Sequence, residues 1–215
     1  MPPPAWTLRQ PRYISSILNM TAASKMHVIT RRQAILGGSA FALAGKDVQA
    51  QAILTDDGIY KQPWFLESFL ELADDLEGAT KQGKRFAVLW ELRGCPYCRD
   101  LHLVNLAHPD IADYIKANFV ILQLNFIGSR KVTDFDGQEI GEKQLAARYG
   151  IRGTPTVQFF PESAAGLKDL APAKREVVRI PGYLKPDDFL GMFRYVRDKS
   201  YETKAMPDLS KAPRT

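Results

Sequence analysis

Phe86-Ala87-Val88-Leu89-Trp90-Glu91-Leu92-Arg93-Gly94-Cys95-Pro96-Tyr97-Cys98 is the stretch on which the fold turns. Its first five residues are an unbroken apolar run between Arg85 and Glu91, the pattern of a strand covered on both faces. Arg93-Gly94 turns the chain, and Leu101, Leu103, Val104 and Leu106 then continue at helical spacing. Cys95 therefore falls on the first turn of a helix that leaves a buried strand. Unpaired first-turn N–H groups and the helix dipole favour negative charge there, which stabilises a thiolate. Pro96 suits an early helical position, because its missing N–H would have had no intrahelical acceptor. Arg93 and Arg99 bring positive charge close by. Cys98, one turn inward, is placed to reach back onto the first sulfur. The expected cycle is attack by Cys95 on a substrate disulfide, a mixed disulfide, and release by Cys98. These are the chain's two cysteines, and a bridge across so short a loop adds little stability. The pair is there for chemistry.

Around this stretch the pattern alternates between helix and strand. Residues 53–62 have no period and are expected to run over the surface. From Pro63, the spacing of Phe65, Leu66, Phe69, Leu70, Leu72 and Leu76 predicts a helix closed by Gly78 and Gly83. His108-Pro109 ends the helix that carries the cysteines, and a short helix follows over 111–118. Residues 119–124 form the next buried strand, 134–137 a turn, and 142–149 a helix stopped at Gly150. Two β-rich runs, 156–160 and 177–180, are joined by a long polar connection over 161–174. Pro181-Gly182 breaks the second run. An amphipathic helix over 186–199 closes the domain. The order predicts an α/β fold, a central mixed sheet flanked by helices in a single domain. Its first two strands are parallel through a right-handed crossover, and its last two form an antiparallel hairpin.

The chain of 215 residues has 45% apolar and 25% charged residues, enough for one real core and too apolar for disorder. Its net charge of +5 sits wholly in residues 1–52, while the rest balances 23 basic against 23 acidic groups. A nucleic-acid-binding face on the folded part is therefore not expected. That basic leader contains Thr30-Arg31-Arg32-Gln33-Ala34-Ile35-Leu36, a twin-arginine motif with Ala34 where phenylalanine is usual. A mildly apolar run of about 12 residues follows, short of the roughly 20 that span a bilayer. Ala50-Gln51-Ala52 then offers a small-x-small cleavage site. The expectation is an upstream extension over 1–25, a twin-arginine signal peptide over 26–52, a domain over 53–200 and a mobile tail over 201–215. The mature protein would reside in the periplasm, where a disulfide can persist.

A second signal stands about 60 residues beyond the cysteines: Gly153-Thr154-Pro155-Thr156, immediately before a strand. By frequency alone the Thr154–Pro155 bond is trans, since about 5–6% of X-Pro bonds are cis. Cys95-Pro96-Tyr97-Cys98 on a strand-to-helix turn, together with Thr154-Pro155 before a later strand, resembles the thioredoxin superfamily over residues 63–199. That resemblance implies a thioredoxin-like fold and a cis Pro155 packed beside the sulfurs. It also implies a role in peptide binding for Thr154, with Pro96 and Tyr97 beside it. Gly94-Cys95-Pro96-Tyr97-Cys98 with Leu101-His102 resembles more narrowly the SoxW-type periplasmic thioredoxins. So do residues 132–137, Pro181-Gly182-Tyr183-Leu184-Lys185-Pro186 and Arg194-Tyr195-Val196. The narrower resemblance implies a thiol–disulfide oxidoreductase that reduces disulfide-containing periplasmic proteins, and the charge-balanced, compact domain is expected to be a monomer. Its reductant would be a membrane thiol-electron carrier, and it would need no cofactor beyond the Cys95–Cys98 disulfide.

The chain departs from the superfamily pattern at two points. Gly94 stands where ordinary thioredoxins have tryptophan, and Leu89 stands where their buried aspartate falls. Arg93, Glu91 and His102 remain as thiol-tuning candidates. Glu91 has a second reading as a solvated strand-end glutamate, and His102 one as a packed helix histidine. Cys95, Cys98, His102 and His108 also fit the spacing of a copper or zinc site, so a metal chaperone is the competing function. Tyr97 is expected to be exposed, and Trp64 and Trp90 to lie in the core.

Overall fold

The structure is a computed structural model that describes residues 51–207. Residues 1–50, with the twin-arginine motif and the first residue of the cleavage site, lie outside the described residues, as do residues 208–215. A two-residue hairpin opens the described part, β1 (Ile53–Leu54) against β2 (Tyr60–Lys61). Helix α1 (Leu72–Lys81) leads into β3 (Arg85–Glu91), every residue of which is buried. Then come α2 (Pro96–Asp100), a π-helical turn over Leu101–Asn105, α3 (Pro109–Asn118) and β4 (Phe119–Asn125). A small hairpin of β5 (Lys131–Thr133) and β6 (Glu139–Gly141) precedes α4 (Glu142–Arg148). The chain finishes with β7 (Thr156–Phe159), β8 (Val178–Pro181) and α5 (Pro186–Arg197).

The main sheet has the order β4-β3-β7-β8. β3 is parallel to β4 and antiparallel to β7, and β8 runs antiparallel to β7. Alternation along β3 divides its side chains between two cores. Ala87 and Leu89 pack with Leu101, Ile115, Ile121, Val157 and the α5 residues Phe189 and Phe193. Phe86, Val88 and Trp90 pack on the other face with Leu72, Leu76, Leu122, Leu145 and Phe160. This double coverage explains why the strand reads as a continuous apolar run.

The helix expected from Pro63 begins only at Leu72. Residues 63–71 instead form an extended strap along the sheet's β4 edge, where the Leu66 N–H donates to the Ile121 carbonyl at 2.9 Å. Phe65 belongs to one core, while Leu70, Leu72 and Leu76 belong to the other. The helical spacing was therefore produced by two packing surfaces. Ser68 competes with helix formation, because its hydroxyl accepts from the Leu70 N–H and donates to Asp75, both at 2.6 Å. Phe69 is fully exposed, and Trp64 is half-buried where a core position was expected. The start of the expected mobile tail is tied down, with the Arg85 guanidinium donating to the Tyr201 hydroxyl at 3.0 Å.

The long connection between β7 and β8 is anchored by a buried charge. Arg175 donates to Asp134 at 2.8 Å and to Asp136 at 3.0 Å, and the Tyr149 hydroxyl donates to Asp134 at 2.7 Å. Burial, then the hydrogen bond to Asp134, pushes the Tyr149 hydroxyl far above its ordinary value, so it stays a donor. Replacing Asp134 with Ala would leave Arg175 buried without its main partner. The expected loss is about 3–5 kcal/mol, read from the shift in the denaturant midpoint at constant m.

Candidate active site

Strand β3 ends at the site, and the turn that follows needs Gly94, whose φ is +75°. Cys95 is the N-cap of α2, and its Sγ accepts from the Cys98 N–H at 3.2 Å. Pro96 occupies the first helical position and is exposed. Cys95 and Cys98 form a disulfide with their Cα atoms 5.3 Å apart. Cys98 is buried, while Cys95 is half-buried and open to an incoming sulfur. Arg93 is exposed, its stem lying against Gly58. Arg99 turns to Asp100 at 2.9 Å, so its charge is partly neutralised.

Opposite the disulfide lies the loop before β7. The Thr154–Pro155 bond is cis, and Pro155 is buried. The Thr154 carbonyl oxygen lies 3.5 Å from Cys95 Sγ, where a reduced thiol would donate to it. That loop is held from behind by the Gly182 N–H, which donates to the Pro155 carbonyl at 2.8 Å. A cleft of about 620 Å³ runs on from Thr154 between Arg152, Glu176, Arg179 and Gly182.

Glu91 is not solvated. It is fully buried, and both of its carboxylate oxygens face the His102 Nε2–H at 2.9 and 3.0 Å. Alternation along β3 explains the placement, since Glu91 shares the inward face of Ala87 and Leu89, and β4 brings Gln123 to the same face. Gln123 donates to Glu91 and, at 2.6 Å, to the Tyr60 carbonyl. The other ring nitrogen of His102 lies 3.3 Å from the Gln62 side-chain amide. His102 is thus a packed histidine whose two nitrogens are both engaged within the protein. His108 is exposed at the N-cap of α3. Among the described residues, no three His, Cys, Asp or Glu side chains are arranged to hold a metal ion.

Four residues around the site, Tyr183, Asn105, Gln123 and Gln62, escaped the sequence reading as site residues. Tyr183, after β8, stacks on the exposed ring of Tyr97 with centroids 6.0 Å apart and planes 24° apart. Asn105 in the π-turn is fully buried and accepts from the Tyr183 hydroxyl at 2.8 Å. A glutamine inside an apolar run, Leu122-Gln123-Leu124, was a legible sign of a buried polar partner; nothing local marked Gln62. Trp90 is buried as expected, and its indole N–H donates to Gln158 at 2.6 Å. Replacing Glu91 with Ala would strand the His102 and Gln123 donors and open a cavity. Unfolding measurements should show a loss of about 2–4 kcal/mol, with Glu91→Gln recovering part of it.

The family model for a thioredoxin-like domain matches residues 72–197. Several solved structures are similar. A thioredoxin-fold protein from Helicobacter pylori is 24% identical, covering 65% of this chain and 88% of its own, with a TM-score of 0.43. A thioredoxin from Thermus thermophilus is 26% identical over 57% of this chain and 81% of its own, with a TM-score of 0.44. The oxidised C-terminal domain of DsbD from Neisseria meningitidis is 16% identical over 57% of this chain and 90% of its own, with a TM-score of 0.38. No curated protein matches the chain. The match over residues 72–197 covers more than half of the sequence and includes the disulfide, the cis-proline loop and every strand of the main sheet, so the chain belongs to the thioredoxin-like domain family.

Proposed function

We propose that this protein is an exported thiol–disulfide oxidoreductase of the SoxW type that reduces disulfides of periplasmic proteins. The observation that carries the reading is the disulfide itself. Its outer sulfur is half-open at a helix N-terminus and faces the Thr154 carbonyl, while its inner sulfur is buried behind it. In the reduced protein the Cys95 thiolate attacks one sulfur of a substrate disulfide. A Cys95–substrate bond forms, and the other substrate sulfur leaves as a thiolate. The Cys98 thiolate then attacks Cys95 Sγ, the second substrate thiolate leaves, and the Cys95–Cys98 bond closes. Two electrons pass to the substrate, and a dithiol donor, here a membrane thiol carrier, returns the pair to its reduced form.

The first-turn N–H groups, together with Arg93, favour the attacking thiolate. Thr154 and Pro155 bound the side from which substrate approaches, and Pro96 and Tyr97 present the opposite surface. His102 lies one turn beyond Cys98 and is held there by the buried Glu91. Export through the twin-arginine leader places the chain where disulfides form and need repair.

Cys98→Ser removes the releasing thiol. The pre-reduced variant, mixed with a disulfide-linked model peptide, should accumulate one peptide per chain as an adduct that dithiothreitol reverses, seen by intact mass. Unaltered protein should pass through the adduct without accumulating it. A Cys98→Ser chain that forms no adduct contradicts the proposal.

A further inference from the structure

We infer that Tyr97 and Tyr183 form a braced aromatic platform that selects substrate disulfides whose cysteine is flanked by an aromatic residue. The inference rests on the exchange reading above and adds the chemistry of its preferred substrate. Tyr97 lies between the two cysteines, and Tyr183 directly follows Gly182, whose N–H holds the cis-proline loop. The stacked rings thus join the two segments that flank the reactive sulfur. On this inference, a residue next to a cysteine bonded to Cys95 is laid on this surface.

The bracing is built from inside the protein. Asn105 uses its carbonyl oxygen to accept from the Tyr183 hydroxyl and its amide to donate to the Leu184 carbonyl at 2.9 Å. Both ends of a fully buried amide are therefore spent on the tyrosine loop. Burial, then the nearby Asp100 charge, raises the Tyr183 hydroxyl above its ordinary value, which keeps it a donor. Tyr97 remains 55% exposed despite its stacking partner. An aromatic pair of which the half-buried Tyr183 backs the exposed Tyr97 loses little conformational freedom when a partner ring is laid on it, which is why such side chains dominate binding energies.

Charge decides between aromatic and cationic neighbours. A tyrosine face also attracts guanidinium and ammonium groups. The Asp100 charge that reaches Tyr183 is already paired with Arg99 at 2.9 Å, which leaves little free anion to hold a cation and a neutral aromatic side chain as the fitting one.

The test uses the full chain, pre-reduced and freed of reductant, with two disulfide-linked peptide dimers. These are identical except for Trp or Ser immediately before the cysteine. Second-order rates of peptide thiol release should favour the Trp peptide by about tenfold, the upper size of one aromatic stacking contact. Tyr183→Ala should bring that ratio close to one, and Tyr183→Phe, which lacks only the hydroxyl brace, should fall between. Tyr97→Ala, at an exposed position, should likewise abolish the preference. The ratio is the readout because a general structural defect lowers both rates together. A ratio near one in the unaltered protein, or a ratio that survives both alanine variants, overturns the inference. If the unaltered chain reacts with neither peptide, the exchange reading itself fails and the inference falls with it.

Discussion

The antiparallel register of β3 and β7, with Trp90 opposite Thr156, is the constraint on which the site depends. It brings Cys95, just beyond the end of β3, against Thr154, just before the start of β7, across about 60 residues of sequence. Trp90 and Gln158 reinforce it through a buried hydrogen bond of 2.6 Å. A slip of one residue would reverse which side chains enter each core, so the two cores lock the register. β8 then fixes the proline loop from behind through Gly182, and the same segment delivers Tyr183 to Tyr97.

Elements whose signals are local were legible in the sequence. Strand β3, the redox turn, β4, α4 with its Gly150 stop, and the β7–β8 hairpin all appear where their apolar runs and turn residues put them. The strap over 63–71 was not legible as a strap. Its apolar residues serve two cores, and their mixed spacing imitates one helical face. The β1–β2 and β5–β6 hairpins are too short to show a period, although the turn over 134–137 between β5 and β6 was visible.

Buried polar groups were the least legible part. Glu91 at the end of a strand carries no local sign of its burial. Its partners come from the helical turn that follows the cysteines and from the neighbouring strand, and only the assembled fold brings them together. Arg175 is a similar case, a charge in a polar connection that closes onto Asp134 some 41 residues away. The cysteine pair was legible because its chemistry depends on four adjacent residues and a helix start. Tyr183 was not, because its role depends on stacking across the sheet's end.

Equilibrating the full chain with defined thiol–disulfide buffers and counting its free thiols tests the central claim most directly. The account predicts a single two-electron transition in which both thiols appear together. Its potential should lie nearer the roughly −270 mV of thioredoxin than the roughly −120 mV of a strong periplasmic oxidant. Cysteines that do not interconvert with the buffer would contradict the redox assignment, and a transition near the oxidising value would contradict the proposed direction of electron flow.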